Sequence, residues 1–382
     1  MNILYITHCD PRRTDFGSAQ RSHLMWKALK RLGTVYTIYN IGPDDPKKVF
    51  DNTEHIASVS LLSPNPIVKI LQVLCVRYLA PAEWPFRSRK FIQSKLPWKN
   101  VEFDCVVTRY LRTAAQTAAW KIAPLYVDID DLPSESFATI RRGAHSTIVG
   151  WFLQKIVDAW QRFVLRKCRA TWIANGDQVA EVQKLCTCSS LPNLAMPPSA
   201  DYVRNGRQKQ QLMTVGLMGY EPNCQGVDWF LETCWPEIHR HFPEMTYAIA
   251  GGGLSNELQA KWSTLPNVRV LGFVDDLDGL YSESLAVVTP IRSGAGTCIK
   301  VIEAALHGRS VLATPFAVRG LDTVLQKNLG ICSTERPEEM VAILEQLRLD
   351  SQRSLRQDEQ AQAAMVYNSP NGFAQVISNG LQ

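Results

Sequence analysis

The 382-residue chain has ten cysteines but no C-x-x-C pair, and its seven histidines show no H-x-x-x-H spacing. Zinc-finger, thioredoxin-like and zincin chemistry therefore lack their residue pattern. The irregular cysteine spacing over so long a chain argues against a disulfide framework. Cysteines such as Cys105 in FDCVVT read as reduced, buried small hydrophobes of a cytosolic protein. Long apolar runs are missing too. None approaches the roughly 18 residues that span a bilayer, and the nearest, Ile67 to Leu79, is broken by Lys69 and Arg77. The opening MNILYITH has a strand pattern and lacks the basic start of a signal peptide. These absences predict a protein that is cytoplasmic, either free or at the inner face of the membrane. No strand pattern runs into G-x-G-x-x-G, which disfavours a dinucleotide oxidoreductase. There is no repeat with a period of 20–50 residues and no low-complexity tract.

What is present suits a large globular chain. Apolar residues make up 46% and charged residues 20%, and the length calls for two domains. Residues 1–200 hold 26 Lys and Arg against 16 Asp and Glu, while residues 201–382 hold 15 against 20. A basic first half suits an anionic partner. Both halves alternate short β-branched runs with helical patterns. In the first half, strands are expected at 2–7, 34–39, 103–108, 125–129 and 171–174, with helices at 18–32 and 148–167. In the second, strands are expected at 212–218, 246–250, 268–272, 286–290 and 310–314, with helices at 227–241 and 297–306. The alternation predicts α/β architecture with two Rossmann-like, doubly wound parallel sheets facing a central cleft. The boundaries are set at 1–200 and 201–382, with the polar stretch 199–210 as linker. The last helix is a candidate to pack back on the first domain.

The segment AVVTPIRSGAGTCIKVIEAALHGRSVLATP, Ala286–Pro315, carries the most chemistry. A buried strand ends at Pro290, and a glycine-rich loop, Ser293–Thr297, precedes a helix. Backbone N–H groups of such a loop can approach an anion, and the helix start adds positive partial charge. Arg292 before the loop and Lys300 in the helix would surround a diphosphate. Glu303, at i+3 from Lys300, shares its face and could accept hydrogen bonds from ribose hydroxyls. A plain glycine-rich turn with a Lys–Glu surface pair would read the same way from the loop alone.

Pro290, Arg292, Gly294, Gly296, Thr297, Lys300, Glu303 and Ala304 fit P-x-R-x-G-x-G-T-x-x-K-x-x-E-A. This segment resembles the donor-binding loop of family 4 glycosyltransferases of GT-B fold, in particular bacterial enzymes of exopolysaccharide and cell-surface polysaccharide assembly. Gly219-Tyr220-Glu221-Pro222-Asn223, Gly251-Gly252-Gly253, Gly272–Asp276, Tyr281 and Gly320-Leu321 follow in the family's order, so the resemblance covers Val215–Asp322. It implies transfer of a sugar from a UDP- or GDP-sugar to a saccharide or lipid-linked acceptor, with retention and without a metal. The nucleotide-sugar is a substrate, and no cofactor is expected. Gly17, Gly219, Tyr220, Asn223, Gly294, Ala295, Gly296, Thr297 and Glu303 become donor-binding candidates. Arg292, Lys300 and Arg109 become the catalytic ones. Ala295 stands where many members carry a sugar-contacting glutamate, so the sugar stays open. The substitution also keeps open a non-catalytic nucleotide-sugar-binding or partner subunit. A nucleotide-sugar epimerase of the same fold is a third reading.

The first half resembles the family less closely. Phe16-Gly17-Ser18 falls between the first strand and first helix, as a phosphate-approaching turn or a plain loop. Thr108-Arg109-Tyr110 ends a central strand near where members often place a catalytic histidine; this chain has none there, which also keeps the non-catalytic reading open. Arg109 would there either stabilise the leaving phosphate or bind acceptor, or simply be solvated. Asp128-Ile129-Asp130 is a D-x-D, read as helix-capping or cleft-lining rather than as a metal site. Residues 141–169 interleave Arg141, Arg142, Lys155, Arg162, Arg166, Lys167 and Arg169 with Trp151, Phe152, Ile156, Trp160 and Phe163, against the single acid Asp158. This pattern fits a core-facing helix with a solvated basic face, or one lying on an anionic membrane. Nucleic acid is not an expected partner, since no reader motif appears.

Overall fold

The computed structural model describes residues 1–14, 17–40, 50–59, 98, 100–144, 148–202, 209–294, 296–350 and 353–381, without the side chains of 139–149 and 353. Ala295, Phe16 and the side chains of Arg141 and Arg142 lie outside that description. The chain divides into two compact units, Met1–Asn193 with Pro370–Gln382, and Leu194–Ser369.

The first unit is built on eight strands: β1 (Asn2–Thr7), β2 (Thr34–Asn40), β3 (Phe50–Asp51), β4 (Ile56–Val59), β5 (Cys105–Arg109), β6 (Leu125–Ile129), β7 (Cys168–Ile173) and β8 (Thr187–Ser190). Their order is β3-β4-β2-β1-β5-β6-β7-β8, and all pairings are parallel except β3 with β4. Every residue of β5, CVVTR, and β6, LYVDI, is buried. That is why these strands read as continuous β-branched runs rather than alternating ones. Helix α1 (Gly17–Lys30) buries Ala19, Met25, Trp26 and Leu29. Further helices are α2 (Leu111–Thr117), α3 (Pro133–Ala144), α4 (Ile148–Leu165) and α5 (Val179–Gln183).

The second unit is an all-parallel sheet of β9 (Gln211–Val215), β10 (Thr246–Ala250), β11 (Val268–Gly272), β12 (Ala286–Thr289), β13 (Ser310–Ala313) and β14 (Ile331–Ser333). Its order is β11-β10-β9-β12-β13-β14. Its helices are α6 (Glu221–Thr233), α7 (Trp235–His241), α8 (Asn256–Ser263), α9 (Leu277–Glu283), α10 (Ile299–Leu306), α11 (Thr323–Asn328), α12 (Pro337–Leu349) and α13 (Arg353–Tyr367). One core cluster joins Phe230, Trp235, Tyr247 and Trp262, and another joins Val287, Val301, Ala305 and Val311. The final helix, α14 (Pro370–Leu381), belongs to the first unit, with Phe373 and Ile377 buried.

Several sequence expectations need adjusting. The single helix expected over 227–241 is two, α6 and α7, meeting at Cys234, because Pro236 lies in the first turn of α7 and supplies no N–H to continue α6. The helix expected from Thr297 starts at Ile299. Of the 199–210 stretch, residues 203–208 lie outside the description, and the second unit already begins at Leu194, ahead of it. Tyr202 donates from its hydroxyl to the His307 carbonyl at 2.8 Å, just after the end of α10.

Candidate functional site

In each sheet the winding direction reverses beside the first strand of the unit. These switch points lie between β1 and β5, and between β9 and β12. A crevice opens at the carboxyl ends of the strands flanking such a point. In the second unit Gly216 follows β9 and the Pro290–Cys298 loop follows β12. Lys300 reaches this point from α10. Its Nζ donates to Asn223 Oδ1 at 2.7 Å, and Asn223 Nδ2 donates to the Leu217 carbonyl at 2.7 Å. Gly216 makes room for the ammonium: a Cβ there would stand 2.7 Å from Lys300 Cε and 2.9 Å from Nζ. The 219–223 turn packs on the glycine-rich loop at Gly294, whose φ is +116° and whose added Cβ would lie 3.1 Å from the Tyr220 hydroxyl. So the tertiary structure gathers Gly219 and Gly294 with Tyr220 from two separate loops, and Asn223 and Lys300 from two helices, α6 and α10. Gly296 and Thr297 lie in the loop leading into α10.

Helix α10 buries Val301, Ile302, Ala304, Ala305 and Leu306 against the core. That leaves Lys300 and Glu303 half-buried on its remaining face. Burial pushes the Glu303 carboxyl up to about 7; Lys300 opposes this and Asp278 adds to it. The helix end is fixed by His307. Its Nδ1 faces the Glu303 carbonyl oxygen and its Nε2 the Asp278 carboxylate, each at 2.7 Å. The ring stacks on Tyr281 with centroids 4.0 Å apart. Sequence reading gave His307 and Asp278 no role, since neither belongs to a local pattern. Arg319 was missed for the same reason. It packs on Phe316 and donates to the Gly296 carbonyl, bracing the glycine-rich loop.

Arg292 is not brought onto Lys300's partners. Its guanidinium lies over the Trp229 ring at 4.8 Å, and Nε is 3.3 Å from Glu335 Oε1. Its side chain remains 48% exposed.

The first unit places its chemistry at the other switch point. His8 follows β1, with Nε2 3.1 Å from Ser18 Oγ in the first turn of α1, which Gly17 opens. Its ring meets Tyr110 edge-on at 5.3 Å. Burial, reinforced by Arg109, lowers His8 to about 4, so the ring is neutral near pH 7. A histidine therefore does stand beside Tyr110, supplied by the turn after β1 rather than by the Arg109 strand, which has none. The expectation of a solvated or substrate-facing Arg109 is corrected. Its side chain is fully enclosed, 2.9 Å from Asp128 and 2.8 Å from Asp130. Arg21, also buried, donates from Nε to Asp128 Oδ2 at 3.0 Å and from Nη1 to Asn193 Oδ1 at 3.0 Å. The D-x-D carboxylates are thus ion-pair partners rather than helix caps. They neutralise two buried arginines, as buried charges require.

The two parallel sheets give the chain the GT-B fold, which it shares with solved glycosyltransferase structures. The chain superposes on sucrose-phosphate synthase from Thermosynechococcus elongatus with a TM-score of 0.70 at 15% identity, covering 99% of this chain and 97% of the other. Anabaena Alr3699/HepE in complex with UDP aligns with a TM-score of 0.66 at 15% identity, covering 100% and 99%. Residues 209–350 match the family described as glycosyl transferases group 1. That match lies wholly within the second unit, Leu194–Ser369. A Klebsiella pneumoniae relative, an uncharacterized 44.6 kDa protein in the cps region, is 25% identical over 131 residues. The match spans 32% of this chain and about a third of that relative's length.

Proposed function

We propose that this protein transfers a sugar from a UDP- or GDP-sugar to a saccharide or lipid-linked acceptor of cell-surface polysaccharide assembly, with retention and without a metal ion. The observation that carries the reading is the Lys300 ammonium held over Gly216 at the switch point of the second sheet. As the bond between the anomeric carbon and the diphosphate breaks, negative charge grows on the leaving oxygen. A preorganised cation there stabilises that charge more than it stabilises the intact donor. The glycine-rich loop adds backbone N–H groups, and Glu303 accepts from the ribose hydroxyls. Arg292 supplies a second cation. Its half-exposed pair with Glu335 is worth only about 0–1 kcal/mol, so a diphosphate can displace it. The UDP bound to the Anabaena relative and the cps-region origin of the Klebsiella one support the donor and acceptor classes. Retention rests on the family resemblance.

Lys300→Ala is expected to lower kcat at least about 100-fold with an unchanged melting curve, and Arg292→Ala to lower it less. Turnover undiminished in Lys300→Ala would sink the proposal. Conversion of a nucleotide-sugar by the wild type without any acceptor would point to an epimerase instead.

A further inference from the structure

Helix α4 of the first unit carries two stripes. Val157, Gln161, Val164 and Leu165 are buried, at 5%, 3%, 1% and 1% exposure. The opposite stripe, at spacings of three and four, runs through Phe152, Lys155, Ala159, Arg162, Phe163 and Arg166, all exposed. A merely solvated face would be polar throughout. Here Trp151, Phe152 and Phe163 stand 55%, 60% and 52% exposed among the cations. Lys155 lies over the Trp151 ring and Lys167 over the Phe163 ring, at 5.7 and 5.5 Å. Ala159, Arg162, Phe163, Arg166 and Lys167 line a hollow of about 440 Å³. Among the described residues, none of Lys155, Arg162, Arg166 or Lys167 pairs with a carboxylate. The one acid of the helix, Asp158, accepts instead from Gln154 at 3.0 Å.

We infer that this face of α4 docks on an anionic lipid surface, with the rings entering the interface and the cations meeting headgroup phosphates. Charge complementarity selects that occupant. A second copy docking through the same face would set like charges against like, because a two-fold contact is self-complementary. Rings beside basic heads suit the headgroup boundary, where an apolar body and a charged tip are both satisfied. No helix among the described residues is long and apolar enough to cross a membrane, so this contact would be peripheral. The inference is independent of the proposed transfer reaction.

The test is sedimentation of the full chain with phosphatidylcholine vesicles, with and without about 30% phosphatidylserine. Binding to the anionic vesicles should be at least about tenfold tighter and should weaken steeply with salt. Trp151→Ser/Phe152→Ser changes exposed positions only and should weaken binding with an unchanged melting curve. Lys155→Glu/Arg162→Glu/Arg166→Glu/Lys167→Glu should abolish it. On wild-type protein, hydrogen exchange should slow at 150–167 when the anionic vesicles are added. Failure to bind them, equal binding by the charge-reversed variant, or a dimer or RNA complex that protects α4 in their place overturns the inference.

Discussion

Glu303 shows how one side chain couples the site to the fold. Its carboxyl titrates near 7 against an ordinary 4.5 because the folded chain withdraws it from water. The native state therefore binds more protons than the unfolded chain between those values. The associated stability is complete below about 4.5 and is lost as pH rises through about 7. Glu303→Gln cannot ionise, so it should be more stable than the wild type at pH 8 by about 2 kcal/mol, after allowance for solvent at this half-buried position. Below about pH 4.5 the two should unfold alike. Donor binding should show the opposite trend, since the ionised form accepts both ribose hydroxyls. The wild-type KM for the nucleotide-sugar should fall between pH 6 and 8, and that dependence should vanish in Glu303→Gln. A KM that is flat with pH in the wild type would remove Glu303 from the ribose.

At the scale of elements, the site depends on how closely α6 approaches the end of β12. A Cβ on Gly226 would stand 2.3 Å from the Pro290 carbonyl oxygen, a backbone atom with no rotamer to retreat to. Gly226→Ala should cost about 1–3 kcal/mol in urea unfolding. It should also lower kcat, because the displaced strand end carries the loop that leads to Lys300. Native stability with reduced turnover would mean that the loop alone yields. The segment around Lys300 was legible in sequence because loop, helix start and cation follow one another within a dozen residues. Gly226, His307, Asp278 and Arg319 were not, because each acts on a segment distant in the chain.

The whole molecule is not a simple succession of two units. The chain leaves the first unit at Asn193, builds the second, and returns as α14. That helix packs on α1 and β7: Trp172 Nε1 donates to the Val376 carbonyl at 3.4 Å, and Arg21 faces the Phe373 ring at 5.5 Å. Ending the chain at Ser369 would uncover Trp172 and remove the buried Phe373 and Ile377, worth about 1.5–3 kcal/mol each. Hydrogen exchange on such a truncation should show faster exchange in α1 and β7, with β9–β14 unchanged. Equal protection throughout would show that α14 contributes nothing to the first unit.

The sequence by itself determined the alternation of buried strands with helices, and hence two parallel sheets. Local pattern records whether a segment is buried on both faces. It also determined the loop, Lys300 and Glu303, whose chemistry is contiguous. Only the tertiary structure decided which charges remain available. Arg109 looked like a site residue until the fold enclosed it with Asp128 and Arg21, because neutralisation of a buried charge depends on partners up to 107 positions away. It likewise decided that His8 reaches Tyr110 and that Arg292 rests on Trp229 and Glu335. These contacts cross between strands and loops that the chain order keeps apart.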